Sequence, residues 1–215
     1  MFGAGILGYD CHDGADVLHL RVSGIEPGVI APMTRAPSRY GFHATLVAPF
    51  RLGSDTSEAA LMDAFRAFAV RHAPIAIGRL AAAAIGNFVA LVPAEPNGHL
   101  MAFAAACVKT FHRFHAPLTP AERERRLSAG LTPRQAELLD RWGYPYVFDQ
   151  FRFHMTLTGS LADEQITWAL PLLANAFGAL ANDIVELDGI SLLRQDDDEH
   201  RFHVLARERL RGGPL

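Results

Sequence analysis

Two short segments of the chain carry the same alternation of apolar and polar positions. Residues 42–46 read Phe-His-Ala-Thr-Leu, and residues 153–157 read Phe-His-Met-Thr-Leu. Side chains of a β-strand point alternately to its two faces, so the three apolar side chains share one face and the histidine and threonine share the other. Each segment is therefore predicted to be a strand with one buried face and one face that carries an imidazole beside a hydroxyl. Composition predicts only about 0.002 such phrases per chain, so two copies indicate more than chance.

Around these phrases the periodicity predicts a similar order of elements twice. In the first half the predicted elements are a strand at 42–48, a helix at 57–72 with Ser57 as its N-cap, strands at 74–80 and 88–92, and a helix at 98–111. In the second half they are a strand at 151–158, a helix from an N-capping Asp163 to about residue 180, kinked or interrupted at Pro171, and strands at 184–193 and 201–207.

This repeat predicts an α+β fold for a single domain over residues 1–215. Two pseudo-symmetric lobes, about 1–112 and 143–215, are each expected to contain a mainly antiparallel sheet with helices. A stretch rich in arginine and proline, residues 113–142, joins them. The active cleft is expected between the two lobes.

Composition narrows the classes of function. Half of the residues are hydrophobic and a fifth are charged, as in a soluble globular protein, and the net charge of −3 argues against extended nucleic-acid binding or an anionic membrane surface. Cys11 and Cys107 make no disulfide framework, so a cytoplasmic location is expected. The apolar N-terminus lacks the basic start of a signal peptide. Glycine and proline interrupt the longest weakly charged stretch, residues 80–108, so no membrane helix is predicted.

Two further patterns are weaker. Residues 3–8 match Gly-x-Gly-x-x-Gly, but only two residues precede them and turn-forming residues follow, which argues against a dinucleotide site. The histidine pairs at 112/115 and 200/203 lack a third zinc ligand, and they are expected to be surface or strand-edge side chains.

The paired imidazoles supply an acid and a base for phosphodiester chemistry. Near neutral pH one of two clustered histidines can be neutral and the other protonated. The neutral one removes a proton from water or a hydroxyl, and the protonated one donates to the leaving oxygen. Thr45 and Thr156 can hydrogen-bond the non-bridging oxygens, and no metal or other cofactor is required. Thr158 shares this strand face and is either a further ligand or a solvated residue.

The paired phrases resemble those of the two-histidine phosphoesterase superfamily, which includes cyclic phosphodiesterases and RNA-ligase-like proteins. Further segments are similar to a branch encoded beside phosphonate-utilisation genes: residues 39–46, 48–50, 91–93, 116–119 and 142–149. The resemblance covers about residues 6–208. It implies a two-lobed α+β fold, no metal, catalytic roles for His43 and His154, and phosphate binding by Thr45 and Thr156.

Four more residues are predicted to bind substrate. Tyr40, Tyr144 and Tyr146 lie in the resembling segments, and Arg152 directly precedes the second phrase. The implied enzyme is a metal-independent phosphodiesterase that hydrolyses a small cyclic or diester phosphate of a nucleotide or ribose derivative. The only expected partner is this small phosphorylated substrate, and a monomer is favoured.

Two departures from the branch affect these expectations. Val47 stands where a basic residue is usual, and strand alternation places it on the face of His43 and Thr45, so a cationic phosphate contact is missing. Arg39, Arg51 and Arg152 are the candidates to replace that contact. Related chains also begin with a strand ahead of residues 7–10 that this sequence lacks.

Two alternatives to hydrolysis stay open. One is a module that binds a phosphorylated nucleotide or RNA end without turnover, which Val47 and the missing first strand favour. The other is RNA end-joining, for which only residues 113–134 offer a candidate channel. The Arg-Glu-Arg-Arg run at 123–126 predicts a solvated helix face, with a binding patch as the alternative.

Overall fold

The computed structural model describes residues 2–197 and 199–212 and has a mixed α/β fold. Its α-helices are α1 (Phe2–Leu7), α2 (Pro27–Ser38), α3 (Glu58–Arg71), α4 (Gly98–Phe111), α5 (Pro120–Leu127), α6 (Pro133–Trp142) and α7 (Asp163–Phe177), with 3₁₀ turns at His112–Phe114 and Phe148–Gln150. Its strands are β1 (Tyr9–Asp10), β2 (Ala15–Asp16), β3 (Ile75–Gly78), β4 (Leu80–Ile85), β5 (Phe88–Pro93), β6 (Met155–Thr156), β7 (Val185–Leu187), β8 (Gly189–Arg194) and β9 (His203–Arg209).

The strands form small antiparallel sheets, and the described chain divides into two compact units. The pairings are β1 with β2, β3 with β7, β4 with β5 and β5 with β6, and β8 with β9. Among the described residues, unit 1 comprises 2–44, 74–96 and 154–210, and unit 2 comprises 45–73, 97–153 and 211–212. The predicted pseudo-symmetric lobes and the cleft between them stay predictions.

Unit 1 is built around the central strand β5. Val89 and Ala90 are fully buried because β4 and β6 flank the strand and α7 packs against β4 and β5. Ala169 and Leu173 supply the buried face of α7, four residues apart as helical geometry requires. This unit holds every sheet of the described chain.

Unit 2 is helical. Phe68 of α3 is fully buried, and its ring lies 5.5 Å from the ring of Phe103 of α4, centroid to centroid. Helices α5 and α6 begin with reciprocal capping boxes at Thr119 and Thr132, which satisfy backbone donors at each helix start.

The predicted helices are largely confirmed. Ser57 caps α3 by accepting a hydrogen bond from the backbone N–H of Ala60 at 3.2 Å, and α4 has the predicted bounds. Asp163 is the first helical residue of α7 rather than its cap, and the helix ends at Phe177 rather than near residue 180. Pro171 lies inside the helix without ending it.

The predicted strands need more correction. Residues 42–48 form no regular strand, since only Ala44 makes a bridge and bends follow at 46 and 47. In the second phrase only Met155 and Thr156 are strand residues, and a 3₁₀ turn occupies 148–150 upstream. The predicted strand at 74–80 corresponds to β3, and β4, which begins at residue 80, was not predicted. The predicted strand at 184–193 is divided into β7 and β8.

The N-terminal glycines form part of a helix, and the histidine pair in unit 2 differs from expectation. Gly3 and Gly5 lie in helix α1, and a side chain at Gly3 would overlap the ring of Phe42. His112 and His115 are partly buried rather than at the surface, and the His115 ring stacks on Phe50 at 3.9 Å. None of the described helices is long and apolar enough to cross a membrane.

Candidate active site

The two histidine phrases meet side by side at their centres. Ala44 forms an isolated antiparallel bridge with Met155, which also pairs with Leu91 of β5. In an antiparallel pair the residues next to a bridge lie opposite one another, so His43 is opposite Thr156. An imidazole of one phrase and a hydroxyl of the other therefore lie on the same side of this pairing.

A backbone carbonyl anchors the ring of His43. The Nδ1 atom of His43 lies 3.0 Å from the carbonyl oxygen of Gly41. A carbonyl only accepts, so this hydrogen bond requires the proton on Nδ1 and leaves Nε2 with a lone pair in the neutral ring. The hydrogen bond therefore selects the tautomer of a base that acts through Nε2.

The turn that supplies this carbonyl depends on glycine. Gly41 has φ +72°, in the left-handed region that favours glycine, and a Cβ there would lie 2.7 Å from Sγ of Cys11. The ring of Phe42 occupies the space that a side chain at Gly3 would need. Close contacts therefore fix the backbone directly ahead of His43.

Burial controls the charge of His43. Removal from water lowers the pKa of His43 below 6.5, the hydrogen bond to Gly41 raises it by a smaller amount, and the imidazole of His154 lowers it further. The direct effect of one ring on the other indicates that the two predicted catalytic histidines lie near each other. Both belong to unit 1.

Aromatic rings flank both histidines. The Tyr40 ring centroid lies 6.2 Å from that of His43, and Tyr40 stacks on Phe202 at 5.1 Å. The Phe88 ring, at the start of β5, lies 5.6 Å from the ring of His154. Tyr40 was predicted from the sequence, whereas Phe88 and Phe202 follow no recognisable motif.

Thr158 has a structural role that neither sequence interpretation anticipated. It is 2% exposed, its hydroxyl accepts a hydrogen bond from the backbone N–H of Val89 at 3.0 Å, and it donates to the carbonyl of Gly159 at 2.9 Å. The hydroxyl of Thr158 thus holds the chain just after the second phrase against β5.

The remaining predicted binding residues lie in unit 2. This group comprises Thr45, Tyr144, Tyr146 and Arg152. The rings of Tyr144 and Tyr146 meet edge-on at 5.5 Å, and 44% of Tyr146 is exposed. Arg126, which the sequence did not single out as a ligand, lies over Tyr144 at 5.6 Å and donates to the Gly143 carbonyl at 2.6 Å.

Val47 has apolar surroundings, and the strand that would place it on the face of His43 is not formed. It packs against the apolar cluster of Val108, Leu138 and Val147 within unit 2. The bends at residues 46 and 47 break the strand alternation on which the expectation rested. The position is therefore apolar because it helps to cover a core.

Two arginines of unit 2, Arg51 and Arg123, form ion pairs within that unit. Arg51, a candidate to replace the missing cation, donates to Glu122 at 3.0 Å and to the Pro117 carbonyl at 3.1 Å. On the solvated face of α5, Arg123 pairs with Asp140 at 2.7 Å. These contacts join segments of unit 2.

Metal-binding side chains are not grouped in the described residues. Among 2–197 and 199–212, no three His, Cys, Asp or Glu side chains come together in a way that could hold a metal ion.

Comparison with known proteins gives one family and two relatives. A family model described as "Protein of unknown function (DUF1045)" matches residues 45–203, about three quarters of the chain. A protein of Janthinobacterium sp. (strain Marseille) named ribose 1,5-bisphosphate phosphokinase PhnN is 36% identical over 184 residues, which cover 84% of this chain and 41% of that protein. A protein of the same name from Laribacter hongkongensis (strain HLHK9) is 37% identical over 175 residues, which cover 81% of this chain and 40% of that protein. The chain thus spans about two fifths of the length of these relatives.

Proposed function

This chain belongs to the family described as protein of unknown function (DUF1045), and from its two adjoining histidine phrases we propose that it is a metal-independent phosphodiesterase. The substrate is a small cyclic or diester phosphate on a ribose derivative or nucleotide. His43 and His154 are the acid–base pair, and Thr45 and Thr156 bind the non-bridging oxygens.

The observation that carries this proposal is the bridge between Ala44 and Met155. It joins the centres of two phrases that are almost identical and that lie 111 positions apart, since 155 − 44 = 111. The imidazole of His154 also lowers the pKa of His43, which supports placing the two rings in one site. Two imidazoles with adjacent hydroxyls are the groups that phosphodiester hydrolysis needs.

The names of the relatives favour a ribose phosphate as the substrate class. Both are named for a kinase that acts on ribose 1,5-bisphosphate. The only lysine of this chain, Lys109, lies in the last turn of the alanine-rich helix α4 and does not follow a glycine-rich loop, as the lysine of P-loop kinases does. We therefore assign the phosphokinase activity of the relatives to the larger part of their length that this chain does not match, and we place this chain in phosphonate metabolism.

The binding module without turnover stays an open alternative. Its support from Val47 rested on the absence of a cation on the face of His43. Val47 packs into the apolar cluster of unit 2, so its side chain says nothing about the charge beside the histidines. The RNA end-joining alternative also gains no observation, because Arg123 is paired within unit 2.

The experiment is a screen of ribose and nucleoside cyclic phosphates, with products identified by phosphorus NMR. We expect ring opening that continues in the presence of a chelator. His43→Ala and His154→Ala should each lower kcat by about 10²-fold or more. The exposed His99 offers a matched control, and His99→Ala should be as active as the wild type. Full activity in either His43→Ala or His154→Ala, or wild-type binding without product, contradicts the proposal.

A further inference from the structure

A guanidinium lies beside two tyrosines in unit 2. We propose that Arg126, together with Tyr144 and Tyr146, binds a phosphate monoester, such as the terminal phosphate of a sugar or nucleotide. The proposal starts from two contacts of Arg126. Its Nη1 donates a hydrogen bond of 2.6 Å to the Gly143 carbonyl oxygen, and its Cζ lies 5.6 Å from the centre of the Tyr144 ring. The site involves neither histidine phrase, so it does not rest on the proposed hydrolysis.

Arg126 is half-buried in the last turn of α5, and among the described residues no carboxylate forms an ion pair with it. Other arginines of unit 2 do have such partners, at 2.7–3.0 Å: Arg51 with Glu122, Arg123 with Asp140, and Arg134 with Asp149. Residues 113–152 hold seven arginines and five carboxylates, a net charge of +2, whereas the whole chain has −3. A partly buried cation is less costly when an anion neutralises it, so we expect an anionic ligand here.

The guanidinium of Arg126 is held in place by two fixed groups. Tyr144 packs against the apolar cluster of unit 2, so its ring is a firm support for Arg126. Gly143 ends α6 with a left-handed φ of +74°, and its N–H donates to the Leu139 carbonyl at 2.8 Å. This turn fixes the Gly143 carbonyl that Arg126 contacts. Because the side chain is already ordered, a ligand that binds it costs little further side-chain entropy.

Phosphate is the anion that these groups fit. A guanidinium has five N–H donors in a planar fork, and the Gly143 carbonyl uses one of them, so donors remain for two oxygens of one phosphate. The ring of Tyr146 meets Tyr144 edge-on at 5.5 Å, and 44% of Tyr146 is exposed, so its hydroxyl can donate to a third oxygen. A monoester offers three acceptor oxygens and up to two negative charges, whereas a diester has only two non-bridging oxygens and one charge.

A purely structural role for Arg126 is the alternative. Its hydrogen bond joins the end of α5 to the end of α6, and this contact needs only one donor. Arg126→Lys keeps the charge and a donor for the Gly143 carbonyl but loses the planar fork. Arg125 is exposed on the same helix, so Arg125→Gln removes an equal charge one position away and serves as the matched control for Arg126→Gln.

Calorimetric titration of the full chain with ribose 5-phosphate tests the site. We expect saturable binding by the wild type, binding about 10-fold or more weaker in Arg126→Gln and Arg126→Lys, and unchanged binding in Arg125→Gln. The wild type should bind ribose and dimethyl phosphate at least about 10-fold more weakly, because the first lacks the phosphate and the second lacks the second charge. Equal affinity in Arg126→Gln and Arg125→Gln, or for ribose 5-phosphate and dimethyl phosphate, overturns the proposal.

Tyr146→Phe provides a second variant should Arg126→Gln fail to fold. It keeps the ring that contacts Tyr144 and removes the exposed hydroxyl, so the midpoint of urea unfolding should not change. Its affinity for ribose 5-phosphate should fall about 3–10-fold through the loss of one hydrogen bond. Wild-type affinity in both Tyr146→Phe and Arg126→Lys overturns the proposal.

Kinetics identify where the bound phosphate comes from, and this measurement alone rests on the proposed function. If the substrate carries the phosphate, adenosine 2′,3′-cyclic phosphate with a 5′-phosphate should have a KM about 10-fold below that of the same compound without it, and Arg126→Gln should abolish the difference. Equal KM values in the wild type identify a separate phosphate monoester as the ligand. A chain that hydrolyses no phosphodiester contradicts the proposed function and leaves the calorimetric test of the Arg126 site in force.

Discussion

At the scale of the residue, the hydroxyl of Thr156 is predicted to bind a non-bridging phosphate oxygen. Thr156 lies opposite His43 across the bridge between the phrases. Replacing Thr156 by Val keeps the shape and removes the donor, so kcat/KM for the cyclic phosphate should fall about 10²-fold, as for other donors to a developing negative charge. Steady-state kinetics check this. Thr167→Val is the control, since the exposed Thr167 hydroxyl donates only to the Asp163 carbonyl within α7. Equal kinetic constants in the two variants would show that the Thr156 hydroxyl does not bind the substrate.

The side chain of Val47 is predicted to affect stability rather than catalysis. It is half-buried against Val108, Leu138 and Val147. Val47→Ala should lower the free energy of unfolding by about 1 kcal/mol through lost packing and leave kcat/KM unchanged. Urea denaturation and kinetics measure the two effects. Val70→Ala is the control, because Val70 is 46% exposed and should cost less. A fall in kcat/KM without loss of stability would indicate that Val47 contributes to catalysis instead.

At the scale of the element, β6 depends on the hydroxyl of Thr158. Thr158→Val leaves the buried backbone N–H of Val89 without this acceptor, which costs about 1–3 kcal/mol. Thr158→Ser keeps the oxygen and should retain most of the stability. Denaturant unfolding and amide hydrogen exchange at Val89 provide the measurements. Equal stability of the two variants would show that the hydroxyl does not hold the strand.

The helices of this chain were predictable and the phrase strands were not, for a physical reason. α3 and α4 have a local signal, an apolar stripe after a capping side chain, and their bounds follow from it. The alternation in residues 42–48 also gave a local signal, but tertiary packing overrode it, because Val47 turns to the core of unit 2. The alternation did identify His43 and Thr156, which lie opposite each other across the bridge. Gly41 has a sequence signal, because a glycine two residues before the histidine indicates a turn there. Phe88 has no sequence signal that links it to His154.

At the scale of the whole molecule, both the family match and the unit boundaries can be located relative to the two histidine phrases. The match to the family model begins at Thr45 and so includes the second phrase but stops short of His43. The unit boundaries also fall inside both phrases, at 44/45 and 153/154. The chain thus passes from one compact unit to the other within each copy of the motif. The repeat that the sequence shows is that of the two phrases, and neither unit contains both of them complete.

The stability of the whole molecule should depend on pH through His115. The ring stacks on Phe50, its Nε2 is buried without a hydrogen-bond partner, and burial followed by the charge of His112 lowers its pKa from 6.5 to about 4. The unfolded chain therefore binds this proton more readily than the folded one. Stability is complete above about pH 6.5, falls as the pH drops below that value, and levels off below about pH 4.

Allowing for partial exposure, the loss from His115 amounts to about 1–2 kcal/mol. The charged pairs of Glu122 and Asp149, whose pKa values are lowered to about 2, contribute little to the change above pH 5 because both carboxylates stay ionised there. His43, whose pKa is also lowered, adds to the loss in the wild type.

His115→Phe isolates the effect of His115, because it keeps the stacking and removes the titrating group. The difference in unfolding free energy between pH 7 and pH 5, measured with urea, should shrink in this variant and stay unchanged in the exposed control His99→Gln. A wild-type-sized difference in His115→Phe would mean that His115 titrates alike in the folded and unfolded chain.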